Sequence, residues 1–249
     1  MATIRNYTVK TVLLGSVSVG KTSLCHYLVH KEALTNSTPT VGGAHFQFDL
    51  PIAPNDKYQF TVMLWDTAGS ERYASMLGVY LRSAQVALVV CDVKDDDSIH
   101  EVQRSLEHLK NMSPHTPSYD DELECKPIFI LNKCDLATDQ LIDKQEQLLR
   151  KVIKGCISIS DSEIIIVKTC GLNGVGVYTA PGGHPEDQSS IISSAIAPAM
   201  SHVLSKLADR NELIVQRQTI SAKQGSVNLN ERGSSSSPGG STRSGGGCC

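Results

Sequence analysis

The sequence contains no C-x-x-C spacing, and six of its eight cysteines, at positions 25, 91, 125, 134, 156 and 170, are scattered along the chain. That argues against a zinc site or a secreted disulfide framework and fits a reducing, cytosolic setting. The opening residues, Met-Ala-Thr-Ile-Arg, lack the apolar segment of a signal peptide, and position 2 is Ala2, not the glycine that N-myristoylation requires. No apolar run approaches the roughly 20 residues needed to cross a bilayer; the longest are Val86 to Cys91 and Ile164 to Val167. Any membrane attachment is therefore expected to be peripheral. An excess of positive charge is missing too. The net charge is −3, the pI is near 6.2 and the body carries no basic patch, so nucleic acid is not an expected partner. No internal repeat is found. What is present is ordinary core-forming composition, 40% hydrophobic and 20% charged.

Short β-branched runs alternate with longer segments of helical spacing, the pattern of an α/β domain with a mainly parallel sheet and helices on both faces. Six strands are expected, at 8–14, 44–50, 58–65, 86–92, 127–132 and 164–168. The second and third are joined by the turn-rich Pro51-Ile-Ala-Pro-Asn-Asp56 and should pair antiparallel, giving a mixed sheet. Helices are expected from Lys21, around 98–110, around 140–154 and over 192–207, where apolar residues fall at 192, 196, 200, 203 and 207 and Pro198 breaks or starts the helix. The proline- and glycine-containing stretches near 113–125 and 178–190 read as inserted surface loops. Gly233 to Gly247 is almost entirely Ser, Gly and Pro, which cannot bury enough apolar surface to fold. One domain over 1–210 and a flexible tail over 211–249 are expected.

Gly15-Ser16-Val17-Ser18-Val19-Gly20-Lys21-Thr22 matches G-x-x-x-x-G-K-(S/T) and sits between an apolar strand and a helix, the context the motif needs. Successive backbone N–H groups of such a loop wrap phosphates, and the helix beginning at Lys21, with Ser23 in its first turn, adds positive potential. Lys21 reaches the outer phosphates, and the Thr22 hydroxyl is placed to ligate Mg²⁺. Asp66-Thr-Ala-Gly69 follows a strand ending in Trp65. Its carboxylate can hold the metal directly or through water, and Gly69 can offer its N–H to the terminal phosphate because no side chain blocks the approach.

Asn132-Lys133-Cys134-Asp135 closes another apolar strand and specifies the base. A carboxylate at Asp135 accepts two hydrogen bonds from guanine's N–H groups, whereas adenine offers no such pair. Lys133 can lay its stem on the base, and Asn132 can tie this loop to the phosphate loop. GTP and GDP are thus the expected ligands.

These motifs together resemble the Ras-like small GTPases, and specifically the Rab family. Trp65-Asp-Thr-Ala-Gly-Ser-Glu-Arg-Tyr73 is similar to the Rab signature W-D-T-A-G-Q-E-R-(F/Y). Tyr80 to Asp92 is similar to Y-Y-R-G-A-x-x-x-x-x-V-Y-D, and Thr40-Val-Gly42 resembles the first switch, T-(I/V)-G. The match covers roughly 8–177. It implies a G domain, Thr40 as a second hydroxyl on Mg²⁺ beside Thr22 and Asp66, and a catalytic set of Lys21, Thr40, Gly69 and the residue at position 70. There the family's glutamine orients the attacking water, but this chain has Ser70, too short to copy it, so slow intrinsic hydrolysis is expected unless a partner supplies the missing group. Val17 is branched where many relatives are small and is expected to crowd the terminal phosphate. Cys170-Gly171-Leu172 stand where relatives carry Ser-Ala-Lys, the third element that contacts the base.

Cys248 and Cys249 resemble the Rab ending that receives two geranylgeranyl groups. Each buried methylene contributes about 0.8 kcal/mol and one chain binds only marginally, so two lipids are needed. The tail's charge cannot substitute, with Arg217, Lys223, Arg232 and Arg243 set against Glu212 and Glu231. Its random-coil span is ~30–35 Å. The resemblance further implies a monomer on the cytoplasmic face of an endomembrane compartment, cycling with the cytosol. Its partners would be effectors, an exchange factor, a GTPase-activating protein, and the prenylation, escort and GDP-dissociation-inhibitor machinery. Two other readings stay open: a GTP-loaded binding module with little or no hydrolysis, and a P-loop kinase, which the guanine-specifying Asn132 to Asp135 disfavours.

Overall fold

The computed structural model describes residues 4–36, 40, 42–51, 57–69, 74–112, 123–171, 176–178 and 195–213. All of them belong to one unit, Met1–Gln216; the second unit, Arg217–Cys249, lies outside the described residues. Seven strands form one sheet in the order β2-β3-β1-β4-β5-β6-β7. They are β1 (Arg5–Leu14), β2 (Gly43–Asp49), β3 (Tyr58–Thr67), β4 (Val86–Asp92), β5 (Lys126–Asn132), β6 (Ile166–Thr169) and β7 (Gly176–Tyr178). The four inner pairings, β3 with β1, β1 with β4, β4 with β5 and β5 with β6, are parallel. The two outer pairings, β2 with β3 and β6 with β7, are antiparallel.

The expected α/β class and mixed, mainly parallel sheet are what the structure has, with one strand more than the six read from sequence. The addition, β7, is only three residues long and takes in Tyr178, the first residue of the stretch read as an inserted loop. At the end of the stretch expected as a surface loop over 113–125, Leu123 and Cys125 are instead buried. The remainder of both stretches lies outside the described residues.

Burial explains why the strands form where they do. Val86 to Cys91 are fully buried on both sides, so β4 reads as a continuous apolar run, as expected of a parallel strand covered on both faces. One face of the sheet is covered by α1 (Lys21–His30) and α5 (Ile196–Asp209), which bring Leu24, Leu28, Met200, Leu204 and Leu207 onto Val9, Leu13, Leu88 and Ile130. Pro198 lies in the first turn of α5, where no intrahelical N–H bond is lost. The other face is covered by α2 (Ala74–Leu81), α3 (Asp96–Met112) and α4 (Asp139–Cys156). Ile99, Val102, Leu106 and Leu109 form the buried stripe of α3, while Gln145, Leu149 and Ile153 form that of α4. Thr138 caps α4 by accepting from the Leu141 N–H at 3.4 Å. Side chains of this size contribute about 1.5–3 kcal/mol each when fully buried.

The parallel strands end at one edge of the sheet. Leu13 lies opposite Asp66, Asp92 opposite Asn132, and Asn132 opposite Thr169. The loops that follow β1, β3, β5 and β6 therefore rise from the same edge, the place where open α/β sheets bind ligands.

Candidate functional site

The phosphate-loop candidate leaves β1 at Gly15 and enters α1 through Gly20, and both glycines are required by geometry. Gly15 has φ +133, and a Cβ there would lie 2.1 Å from the Val90 carbonyl oxygen. Gly20 has φ +98, and a Cβ there would lie 2.3 Å from Nδ2 of Asn132. Between them, Ser18 adopts φ 64, Val19 is buried, and Val17 points outward at 51% exposure.

Lys21, the first residue of α1, is buried, and its ammonium donates to the carbonyl oxygens of Gly15 at 2.9 Å and Ser16 at 2.7 Å. The loop thus wraps its own lysine. Burial lowers this ammonium to about 8, opposed by the nearby Asp66 carboxylate. The unfolded chain therefore holds more protons than the folded one between about pH 8 and the ordinary lysine value of 10.5, and in that window this group makes stability rise with pH. Below about pH 8 its desolvation cost is constant. A phosphate placed against the ammonium favours the charged form, so anion binding should take up a proton above about pH 8. Calorimetry repeated in buffers of different ionisation enthalpy reads that uptake directly, and it should vanish in a Lys21→Met variant.

Thr22, Thr40 and Asp66 come together. Thr22 Oγ1 donates to Asp66 Oδ2 at 2.8 Å and lies 2.8 Å from Thr40 Oγ1, which is itself 3.5 Å from Asp66 Oδ2. Asp66 is buried, and its second oxygen, Oδ1, makes no hydrogen bond among the described residues. Burial raises its carboxyl above the usual range, tempered by the Thr22 hydrogen bond, Lys21 and the Thr40 hydrogen bond. Two hydroxyls and a carboxylate with unused lone pairs make an all-oxygen donor set, which fits a hard divalent cation such as Mg²⁺. Gly69 lies directly on the phosphate loop: a Cβ there would be 2.4 Å from Lys21 Nζ and 2.6 Å from the Ser16 oxygen. The Ala68 N–H donates to the Gly42 oxygen at 3.0 Å, linking the segment after β3 to the one before β2.

The base-loop candidate is joined to the phosphate loop twice. Buried Asn132 donates from Nδ2 to the Val19 oxygen at 2.8 Å, and Lys133, at φ 63, donates from Nζ to the Ser18 oxygen at 2.7 Å. Asn132 Oδ1 is buried without a hydrogen bond. Gly171 packs against this side chain, where a Cβ would meet Nδ2 at 3.0 Å. Asp135 lies in the single turn Cys134–Leu136, exposed and open to a ligand. Cys170 is buried behind it, at the end of β6. Lys133 also forms an ion pair with Asp92 Oδ2 at 2.7 Å, a contact sequence reasoning missed. The available signal was that β4 and β5 are consecutive parallel strands ending in Asp92 and Asn132. Ser70, Leu172, Cys248 and Cys249, all named from sequence, lie outside the described residues.

The model of the Ras family matches residues 10–159. The Ras-related protein Rab-17 of Mus musculus is 39% identical over 142 residues, 56% of this chain and 60% of that protein. The GTP-binding protein YPT52 of Saccharomyces cerevisiae is 37% identical over 136 residues, 52% of this chain and 55% of its own length. The Ras-related protein Rab-31 of Mus musculus is 29% identical over 168 residues, 68% of this chain and 76% of that protein. The chain belongs to the Ras family. It spans between half and 60% of the length of the first three relatives it matches.

Proposed function

We propose that this chain is a GTP-binding switch of the Rab type that regulates vesicle and membrane trafficking through GTP-dependent effector binding. One observation carries the reading: Thr22, Thr40 and Asp66, drawn from three separate segments, converge within 2.8–3.5 Å beside a buried lysine at the mouth of a glycine-bounded loop. Thr22, Thr40 and Asp66 would hold Mg²⁺, which when bound neutralises charge on the outer phosphates. Backbone N–H groups over 15–20 and the Lys21 ammonium would bind the phosphates of GTP or GDP, with Ser23 following in the first turn of α1. Asp135 would accept from the guanine edge, and the loop at Cys170, Gly171 and Leu172 would close over the base. Thr40 and Gly69 stand at the ends of the two segments whose position depends on the terminal phosphate, so partner surfaces built on them differ between GTP and GDP.

The tail completes the proposal. Prenyl groups on Cys248 and Cys249 would anchor the chain to the cytoplasmic face of an endomembrane, and among the described residues no helix is long and apolar enough to cross one. Effectors, an exchange factor, a GTPase-activating protein, the prenylation and escort machinery and a GDP-dissociation inhibitor follow as partners of a monomeric switch. Deleting Cys248 and Cys249 should release the protein from sedimenting membranes to the soluble fraction.

Hydrolysis should be slow because Ser70 replaces the water-positioning glutamine. Ser70→Gln is expected to raise the single-turnover rate of GTP hydrolysis; equal rates would refute this part. The second reading, a GTP-loaded module that barely hydrolyses, is favoured by the same serine and by Val17, whose outward side chain borders the phosphate loop. The nucleotide retained on purification separates the readings: GDP for the switch, GTP for the module, and an ATP preference for neither.

A further inference from the structure

Trp65 is the only tryptophan in the chain, and its half-buried ring lies between two other rings at the edge of the core. His45 of β2 lies 4.9 Å away on one side and Tyr80 of α2 5.6 Å away on the other, centroid to centroid. The indole N–H of Trp65 is buried and has no acceptor among the described residues. The inner side of the ring packs against the core beneath α2, and one cation, Lys10, places its ammonium 5.4 Å from the ring centroid.

The same ammonium reaches the end of α2. It donates to the Arg82 oxygen at 2.7 Å and to the Val79 oxygen at 3.5 Å. α2 has no basic residue in its last turn, so the charge that complements its negative end comes from another element. Lys10 is itself held firmly: Gln85 accepts its backbone N–H at 2.7 Å through Oε1, and the Gln85 N–H donates to the Lys10 oxygen at 3.0 Å. Burial lowers the ammonium of Lys10 from its ordinary value. A partly desolvated cation bonds more strongly to carbonyls and ring faces than one in water.

We infer that Lys10 is a positioning residue that locks the C-terminal end of α2 to Trp65, so that movement of α2 is carried through Trp65 to its neighbour His45 on β2. This rests on the proposed switch, in which the position of Gly69 follows the nucleotide. It assigns to a β1 side chain, remote from the phosphates, the task of carrying α2's position to the partner surface.

The test compares the full-length chain with Lys10→Met, which keeps the aliphatic stem, and Lys10→Arg, which restores charge and donors. Three readouts are taken: acrylamide quenching of Trp65, hydrogen exchange of residues 74–84, and the difference in Trp65 emission between chains loaded with GDP and with a non-hydrolysable GTP analogue. Lys10→Met is expected to speed exchange over 74–84 by about tenfold or more, increase quenching, and abolish the nucleotide-dependent emission difference. GDP release should stay within about twofold of wild type, since among the described residues Lys10 bonds Val79, Arg82 and Gln85 and no nucleotide-site residue, and Lys10→Arg should restore all three readouts. Unchanged exchange and quenching, an emission difference that survives in Lys10→Met, or exchange that rises uniformly over the whole sheet would each overturn the inference. Failure of the wild-type chain to bind guanine nucleotides would instead sink the proposed function. In that case quenching and exchange, which need no nucleotide, still decide the role of Lys10.

Discussion

Lys21→Met is expected to lower the affinity for GDP and GTP by at least about 10²-fold while leaving the nucleotide-free fold no less stable. The two effects have one cause. A hydrogen bond to a charged group contributes about 1.5–3 kcal/mol, and the Lys21 ammonium is placed to make more than one to the phosphates. Without ligand, however, the same ammonium is buried and bonded among the described residues to the Gly15 and Ser16 oxygens, at a desolvation cost visible in its lowered proton affinity. Methionine has nearly the same shape and does not carry that cost. Thermal melts of the nucleotide-free variant beside calorimetric titration with GDP check both halves. A variant that loses binding only because it loses its fold would not fit.

Asp135→Ala is expected to weaken guanine binding by about 10³-fold, because two charge-assisted hydrogen bonds to the base are lost together. Affinity for adenine nucleotides should hardly move. The fold should not suffer either: Asp135 is exposed and lies in a one-turn segment, while the contacts that hold the base loop in place come from its neighbours. Asn132 bonds Val19, and Lys133 bonds Ser18 and Asp92. Competition of GDP and ADP against a fluorescent guanine nucleotide measures the change in preference, and a preference unaltered in the variant would move base recognition elsewhere.

How legible these features were in the sequence depends on where their physical cause lies. β4 was read at Val86 to Asp92 because a parallel strand buried on both faces must be apolar throughout, a signal carried by the strand alone. α2 was not read as a helix. Ala74 to Leu81 has no charged residue, contains Gly78 and the β-branched Val79, and is apolar on every side, so helical spacing does not stand out. β7 escaped because three residues, Gly-Val-Tyr, carry no periodicity, and their pairing with β6 is decided by tertiary context. The last helix begins at Ile196, four residues after the expected start, with 192–194 outside the described residues.

The candidate site divides along the same line. Gly15, Gly20, Lys21, Asp66 and Asn132 were visible because a left-handed backbone, a close approach or a strand-end carboxylate restricts residue type locally. The pairing of Lys133 with Asp92 and the bridge from Lys10 to α2 and Trp65 were not. They depend on which strands lie side by side and in what register, which no short motif records. The domain limits also depend on packing: Leu213, beyond the boundary expected at 210, is buried against the core under α5.

The most direct measurement is calorimetric titration of the purified wild-type chain with GDP and with ADP, in the presence of Mg²⁺. The account predicts that GDP binds at least about 10³-fold more tightly and that withdrawing Mg²⁺ weakens it. Equal affinity for the two nucleotides would contradict the claim that the edge of this sheet is built to hold a guanine nucleotide.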